Sequence, residues 1–300
     1  MANDASSNVV AGDGAIAENS KKPVVLITGC AKGGIGFEYC RAFSELGCRV
    51  VATDMPDRVA ELAADLAGGE STDTLPLDVT SDESVSAAVS RVMAAHGRID
   101  VLVNNAGIGC TGPLAELRPE LVRRAMDVNF LGQVRTVRAV APHMAARRSG
   151  RVVNVGSVVG NAATPWAAPY CASKAAVHVA TDALRLELRP FGVHVVKVVP
   201  GAVRSGLGRA NAAHLAGQEW RMYRDFAAAI EERARASQAG KATDAGAFAR
   251  VVARRVLSAR PPREIVYGHM TLLFAALAAS PAWVRDAFFT KRFGLDKTVR

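Results

Sequence analysis

Three residues are placed to do chemistry, namely Tyr170, Lys174 and Ser157. Tyr170 and Lys174 stand four apart at the start of a helical pattern running from Ala172 to Leu188. One helix face therefore carries both, about one turn apart. A phenol titrates at about 10 and is a poor acid or base at neutral pH. An ammonium beside it favours the phenolate and draws that value down. A serine hydroxyl arriving from a strand end would hold a carbonyl or alcohol oxygen against the phenol. The bland alternative is one aromatic, one solvated lysine and a loop serine, and a five-residue pattern recurs by chance. The chemistry depends on what the rest of the chain supplies.

The frame must be large enough to position these groups. Three hundred residues, 50% of them hydrophobic, bury a sizeable core as one large α/β domain or two smaller ones. The net charge of +9 comes mostly from arginines scattered over helices, with only short pairs such as Arg123-Arg124 and Arg254-Arg255, which argues against a nucleic-acid partner. Cys30, Cys40, Cys48, Cys110 and Cys171 show no metal or framework spacing and read as reduced thiols in a reducing compartment. The six histidines are widely separated, so no metal is expected. Residues 1–22 carry Asp4, Asp13 and Glu18 and no apolar core. They read as a disordered leader rather than a secretory or transit segment.

In chain order, Pro23 to Thr28 is a short apolar run suited to a strand buried on both faces. It leads into Gly29, Lys32, Gly33, Gly34, Ile35 and Gly36, then a helical stretch from Phe37 to Leu46. Strand, glycine turn and helix in that order form a dinucleotide pyrophosphate site. A second strand, Cys48 to Thr53, ends at Asp54, whose carboxylate would accept from both ribose hydroxyls of NAD and repel the 2′-phosphate of NADP. Lys32 argues the other way, since an ammonium near the phosphates tolerates NADP. Asp78, closing the strand that starts at Thr74, reaches an adenine or caps the helix beginning at Ser81. A helix from Asp82 to His96 leads to the strand Ile99–Val103, followed by Asn104, Asn105, Ala106 and Gly107. The adjacent asparagines suggest amides stitching strand ends together near a ligand. Asn129 lies inside the helical stretch Arg118 to Met144, an uncomfortable place for an amide. The strand from Arg151 delivers Ser157 at its carboxyl end, the edge where open parallel sheets bind ligands.

With these motifs in order and spacing, Pro23 to Tyr267 resembles the short-chain dehydrogenase/reductase family. The resemblance implies a single Rossmann-type, doubly wound α/β domain over 23–268, a parallel sheet of about seven strands and helices on both faces. It implies direct hydride transfer between a nicotinamide and a carbinol or carbonyl carbon. Tyr170 would be the general acid/base, Lys174 would bind the nicotinamide ribose and lower the tyrosine pKa, Ser157 would position the substrate oxygen, and Asn129 would hold a relay water. Gly29, Lys32, Gly34, Ile35, Gly36, Asp54, Asp78, Val79, Asn105, Ala106, Gly107, Pro200, Gly201, Val203 and Ser205 would meet the cofactor, with Asn104 at the adenine-side ribose or the adjoining backbone. NAD is favoured through Asp54, with NADP as the alternative. A homodimer or homotetramer through helices near 113–147 and 167–189 is implied as well.

The glycine turn has one residue more than the usual family pattern. With His143-Met144, Arg185 to Gly192 and Pro200-Gly201-Ala202, it resembles the 1-acyldihydroxyacetone-phosphate reductase-like branch of plants and fungi. That branch carries a small residue and an arginine where this chain has Asp54 and Met55. The segment 205–240 falls where the family places a mobile substrate lid. Its Trp220, Met222, Tyr223 and Phe226 suggest a bulky apolar alcohol or ketone of steroid, terpenoid or lipid type, or simply pack the lid onto the body. Arg204 and Arg209 bind a phosphate or face water. Within residues 269–300, Met270 to Ala279 is almost wholly apolar, with aromatic and basic residues after it, and that run is too short to span a bilayer. The segment reads as a peripheral contact with endoplasmic reticulum or lipid droplets, or as a cover over the pocket or a subunit interface. The protein is otherwise expected in the cytoplasm. A non-catalytic nucleotide sensor or scaffold on the same fold is the reading of a different class, and the presence of both Tyr170 and Lys174 argues against it.

Overall fold

The computed structural model describes residues 22–66, 72–215, 217–238 and 240–296. Apart from Lys22, the expected leader lies outside the described residues. Seven strands form one parallel sheet in the order β3-β2-β1-β4-β5-β6-β7. They are β1 Val24–Thr28, β2 Arg49–Asp54, β3 Thr72–Pro76, β4 Val101–Asn104, β5 Gly150–Val155, β6 Val193–Pro200 and β7 Glu264–Tyr267. The order reverses direction between β1 and β4, and that switch opens a crevice at the carboxyl edge. The apolar strands are buried on both faces, as β1 illustrates with all five residues buried.

Helices cover both faces. On one lie α1 (Ile35–Glu45), α2 (Val59–Leu66) and α9 (Ala245–Leu257), joined by a core that includes Tyr39, Phe43, Leu62, Phe248 and Val252. On the other lie α3 (Asp82–His96), α5 (Gly132–Ala146) and α6 (Ala168–Glu187), whose core includes Val89, Val92, Val140 and Met144. Helices α2 and α9 were not anticipated. α2 is short and ends beside residues outside the description, and the arginine pairs of α9 disguise an apolar stripe through Phe248, Val252 and Val256.

The long helix expected from Arg118 to Met144 is interrupted. α4 (Pro119–Met126) passes through a π-helical turn, Asp127–Leu131, before α5. Asn129 lies in that wider turn, which frees its amide from competing with helical hydrogen bonds. Beyond β6, the chain forms α7 (Gly206–Leu215), a 3₁₀ turn at Arg224–Phe226 and α8 (Ala227–Ala234). After β7 come α10 (Thr271–Ala279) and α11 (Ala282–Phe293). Phe274, Leu277, Phe289 and Phe293 join Cys110, Trp166, Trp220, Phe226 and Ile230 in a second apolar cluster, against which Tyr170 packs. The C-terminal segment therefore covers this cluster with one side. Its other side leaves Leu272 87% and Trp283 72% exposed. No helix among the described residues is long and apolar enough to cross a membrane.

Phe248 is wholly buried and meets the rings of Tyr39 and Tyr267, so it couples α9 to both α1 and the sheet edge. Phe248→Ala leaves a cavity and should cost about 3–5 kcal/mol. The midpoint of urea unfolding measures it, and a loss well under 1 kcal/mol would show that the contact is dispensable.

Candidate active site

The glycine turn is built for close approach. Gly29 has φ +71°, and a Cβ there would lie 2.7 Å from the Ala106 Cα. A Cβ on Gly36 would lie 2.2 Å from the Gly29 carbonyl oxygen. α1 starts after Gly34 with no side-chain cap, so its first N–H groups face the crevice edge with the positive end of the helix dipole. Bare backbone and free donors at this point fit a dinucleotide pyrophosphate.

The strand ends are stitched by amides, as the adjacent asparagines suggested. Asn105 Nδ2 donates to the carbonyls of Thr28 (3.0 Å) and Gly29 (2.9 Å), and the Asn105 and Ala106 N–H groups both donate to Thr28 Oγ1. Asn104 does a different job from the one expected. Its amide donates to Asn154 Oδ1 (2.9 Å) and accepts from Thr136 Oγ1 (2.6 Å), wholly inside the core, so it ties β4 to β5 and α5 and does not face the crevice.

The expected cofactor residues lie along the carboxyl edge with one exception. Asp54 is buried at the end of β2, where Oδ2 accepts from the Ala31 N–H and Oδ1 from the Met55 N–H. Asp78 accepts from the Thr80 N–H and hydroxyl, while the cap of α3 is Ser81, so Asp78 is not the cap. Val79 is buried against Gly132. Gly201 follows the end of β6 in close contact with the chain after β7, where a Cβ would meet the His269 carbonyl at 2.0 Å. Val203 bridges to Thr243, and the Ser205 carbonyl accepts from Gln238 Nε2. Lys32 is the exception. Its ammonium pairs with Asp65 of α2 at 2.6 Å, so the charge faces outward and away from the crevice centre.

Tyr170, Ser157, Lys174 and Asn129 converge. Ser157 follows β5, and its hydroxyl accepts from the Val159 N–H (3.4 Å) close enough to the Tyr170 phenol to lower its pKa. Lys174 is 4% exposed, and its ammonium donates to the Val155 carbonyl (2.9 Å), 5.8 Å from the tyrosine ring centroid. A Cβ on Gly107 would meet Asn129 Oδ1 at 3.2 Å and Lys174 Nζ at 3.6 Å, which explains the absence of a side chain there. Asn129 donates to the Ile108 carbonyl and to Ser173 Oγ and accepts from the Ile108 N–H.

The electrostatics differ from the simplest expectation. Burial pushes Tyr170 up to about 12, against the lowering effects of the Arg233 guanidinium and the Ser157 hydroxyl. Burial also holds Lys174 down to about 8. The protein by itself therefore does not draw the phenol below its ordinary value, because desolvation of the phenolate outweighs the nearby cation.

Two residues went unnoticed in the sequence. His178 extends the Tyr170–Lys174 stripe by one more turn of α6, a spacing that pointed to it. Its Nε2 accepts from the Ser157 N–H (3.2 Å), which requires that Nδ1 carry the proton toward Asn161 Oδ1 (2.8 Å). Gly156 and Gly160 leave room for the ring, since Cβ atoms there would come within 2.1 Å and 2.8 Å of it. The second is Arg233 on α8, whose Nε donates to Thr164 Oγ1 (2.8 Å). No local pattern marks it.

Further bonds fasten the segment 206–238 to the body. The Gly206 N–H donates to the Gly33 carbonyl (2.7 Å), Asn211 Nδ2 to Thr111 Oγ1 (2.7 Å), and the Arg221 and Met222 N–H groups to the Glu116 carboxylate. Trp166 packs its ring on Tyr223 and Phe226 from this segment.

A switched parallel sheet with a glycine turn at its first crossover defines the class as a Rossmann-type nucleotide-binding fold. Residues 23–216 match the short chain dehydrogenase family, and the chain belongs to it. It is 34% identical to the short-chain dehydrogenase ptmH of Penicillium ochrochloron, over 92% of this chain and 100% of that one. It is 40% identical to the NADPH-dependent 1-acyldihydroxyacetone phosphate reductase of Schizosaccharomyces pombe, over 60% of each chain. A short chain dehydrogenase/reductase from Burkholderia phymatum, solved in complex with NAD, superposes with a TM-score of 0.75 at 26% identity, over 93% of this chain and 98% of that one. The protein is thus an oxidoreductase of a family that uses NAD(P).

Burial holds His178 down to about 4, aided by Lys197 and Lys174 and opposed by Asp182. The unfolded histidine titrates at about 6.5 and takes up a proton that the folded ring refuses, so stability falls as pH drops from about 6.5 to 4. The contribution is on the order of 3 kcal/mol. In His178→Gln, unfolding free energies should lose one proton's worth of slope across that window. An unchanged slope would mean the ring is not held neutral.

Proposed function

We propose that this chain is an alcohol dehydrogenase/ketone reductase for a bulky apolar secondary alcohol or ketone. The observation carrying this reading is the convergence of Ser157 and Tyr170 on the buried ammonium of Lys174, 5.8 Å from the tyrosine ring centroid, at the sheet edge that also bears the glycine turn. When bound, a nicotinamide supplies or accepts a hydride at its C4. Ser157 holds the substrate oxygen, and Tyr170 gives it a proton in reduction or takes one in oxidation. Lys174 holds the nicotinamide ribose, and Asn129 holds the water through which the proton is replaced. The cofactor would lie along Gly29, Gly34, Ile35 and Gly36, with its adenosine half near Asp54, Asp78, Val79, Asn105, Ala106 and Gly107. Its nicotinamide half would lie near Pro200, Gly201, Val203 and Ser205. The aromatic cluster of Trp166, Tyr223 and Phe226 supports an apolar substrate.

NAD is the favoured cofactor. Each Asp54 oxygen accepts one backbone N–H, which leaves lone pairs for ribose hydroxyls, and Lys32 is paired elsewhere. The NAD-bound neighbour agrees with this, whereas the fission-yeast relative is an NADPH enzyme. That relative also supports a second reading, reduction of a 1-acyldihydroxyacetone phosphate. Assembly as a homodimer or homotetramer is proposed through α4, α5 and α6, where Val134, Val179 and Leu186 are exposed. Peripheral contact with a lipid surface would use Leu272 and Trp283.

Tyr170→Phe should keep cofactor affinity and lose about 10²–10⁴-fold in turnover, the range for removing a general acid/base. NAD(P)H absorbance over a panel of apolar alcohols and ketones measures it, and an unchanged rate would end the mechanism. Asp54→Ala should raise the ratio of NADPH to NADH efficiency at least about tenfold by removing like-charge repulsion of the 2′-phosphate. A wild-type enzyme that already prefers NADPH would refute the assignment of Asp54.

A further inference from the structure

Arg233 is a partly buried cation on the turn of α8 that carries Ile230 into the apolar cluster, and among the described residues it has no countercharge. Its Nε is fixed by Thr164 Oγ1 at 2.8 Å, and Thr164 in turn contacts Cys171, the neighbour of the tyrosine. The carboxylates flanking it in sequence are both taken, Glu231 by Arg235 and Glu232 by Arg292 of α11. No carboxylate among the described residues pairs with Arg233 itself. A guanidinium presents five donors in a planar fork suited to carboxylate or phosphate, and here one is spent on a neutral hydroxyl. Burial disfavours the charged guanidinium, a cost that one neutral hydroxyl offsets only in part. A second group nearby is also short of a partner. Trp166 is 8% exposed, and its indole N–H has no acceptor. Its backbone sits at φ +64°, a conformation a tryptophan rarely adopts, held by the Gly112 N–H on its carbonyl. A strained backbone and an unpartnered donor in the cluster that holds Tyr170 are features that a ligand completes.

We propose that the substrate carries an anionic oxygen group, carboxylate or phosphate, bound by the Arg233 guanidinium while the apolar remainder lies against Trp166, Tyr223 and Phe226. The proposal deepens the ketone reductase reading and rests on it for the position of the reacting carbon at Tyr170. It makes the substrate amphipathic, with a fixed distance between its anion and the carbon that exchanges hydride. Arg233 thereby sets which ketone binds and in which direction it lies, while the proton chemistry stays with Tyr170. Its effect on the phenol is a second consequence of the same charge, since its guanidinium heads the lowering influences there.

The test is a binding measurement that needs no turnover. Octanoate, octyl phosphate and octanol are titrated by calorimetry into the full chain saturated with NADH. At least one of the two anions should bind about tenfold or more tightly than octanol, and which one does identifies the group. Arg233→Gln should abolish that preference and leave octanol affinity unchanged, which also shows that the variant is folded. Arg233→Lys should retain part of the preference, and it decides the question if the glutamine variant loses octanol binding too. Equal affinity for all three ligands in the wild type, or a preference that survives in Arg233→Gln, overturns the proposal. Anion-selective binding by a chain that reduces no ketone would instead count against the reductase reading and leave Arg233 in place.

Discussion

The arrangement depends on one costly placement, the ammonium of Lys174 buried at the end of β5 against the carbonyl of Val155. An ammonium taken from water loses several kcal/mol of hydration, and one carbonyl returns only part of it. The same loss of hydration lowers the pKa of Lys174. Everything around it is shaped to make the placement feasible. Gly107 leaves room for the Asn129 amide oxygen, on which a Cβ would press, and Asn129 itself sits in a π turn that a regular helix would not give. The helix carrying the lysine approaches the sheet closely only because Gly156 and Gly160 leave space for the His178 ring. His178 then fixes the backbone of Ser157 from beneath, so the lysine, the serine and the tyrosine are set by a single docking of α6 onto β5 and β6.

That dependence explains which parts were legible in the sequence. Strands buried on both faces announce themselves as apolar runs, and β1 and β4 fall where those runs lie. The glycine turn and the Tyr170–Lys174 spacing are short-range patterns, and a helix face translates them directly into space. Asn129 was visible as an anomaly, an amide in a helical stretch, and the π turn is what the anomaly meant. The failures concern side-chain direction at strand ends. Asn104 and Asn105 are neighbours of identical type, and only alternation along the strand sends one into the core and the other to the glycine turn. Lys32 looked like a phosphate ligand because its place in the turn was known and the position of Asp65 was not. The long-range partners, Arg233 on Thr164 above all, are 69 positions apart and leave no local trace.

The expected lowering of the tyrosine pKa by its lysine partner illustrates how two correct local effects compete. A cation nearby favours the phenolate, and an apolar cluster disfavours it. Here the cluster formed by Trp166, Phe226 and the C-terminal helices wins, and Tyr170 stays protonated far above neutrality.

The division of labour along the chain follows from the same geometry. The proposed proton machinery and cofactor edge come almost entirely from residues before 206, inside the stretch that matches the family, which ends at residue 216. The surfaces that would meet a substrate come largely from later segments. α8 carries Arg233 and α11 is bound to it through Arg292 and Glu232, while Tyr223 and Phe226 press on Trp166 from the lid side. A relative can share the reaction through the first part and differ in substrate through the second, as a match over 60% of each chain to the fission-yeast enzyme allows. Selection on substrate then acts on segments that do not touch the sheet's pairing. The strands can hold Lys174 in its unfavourable place while α8, α10 and α11 change what they admit to it.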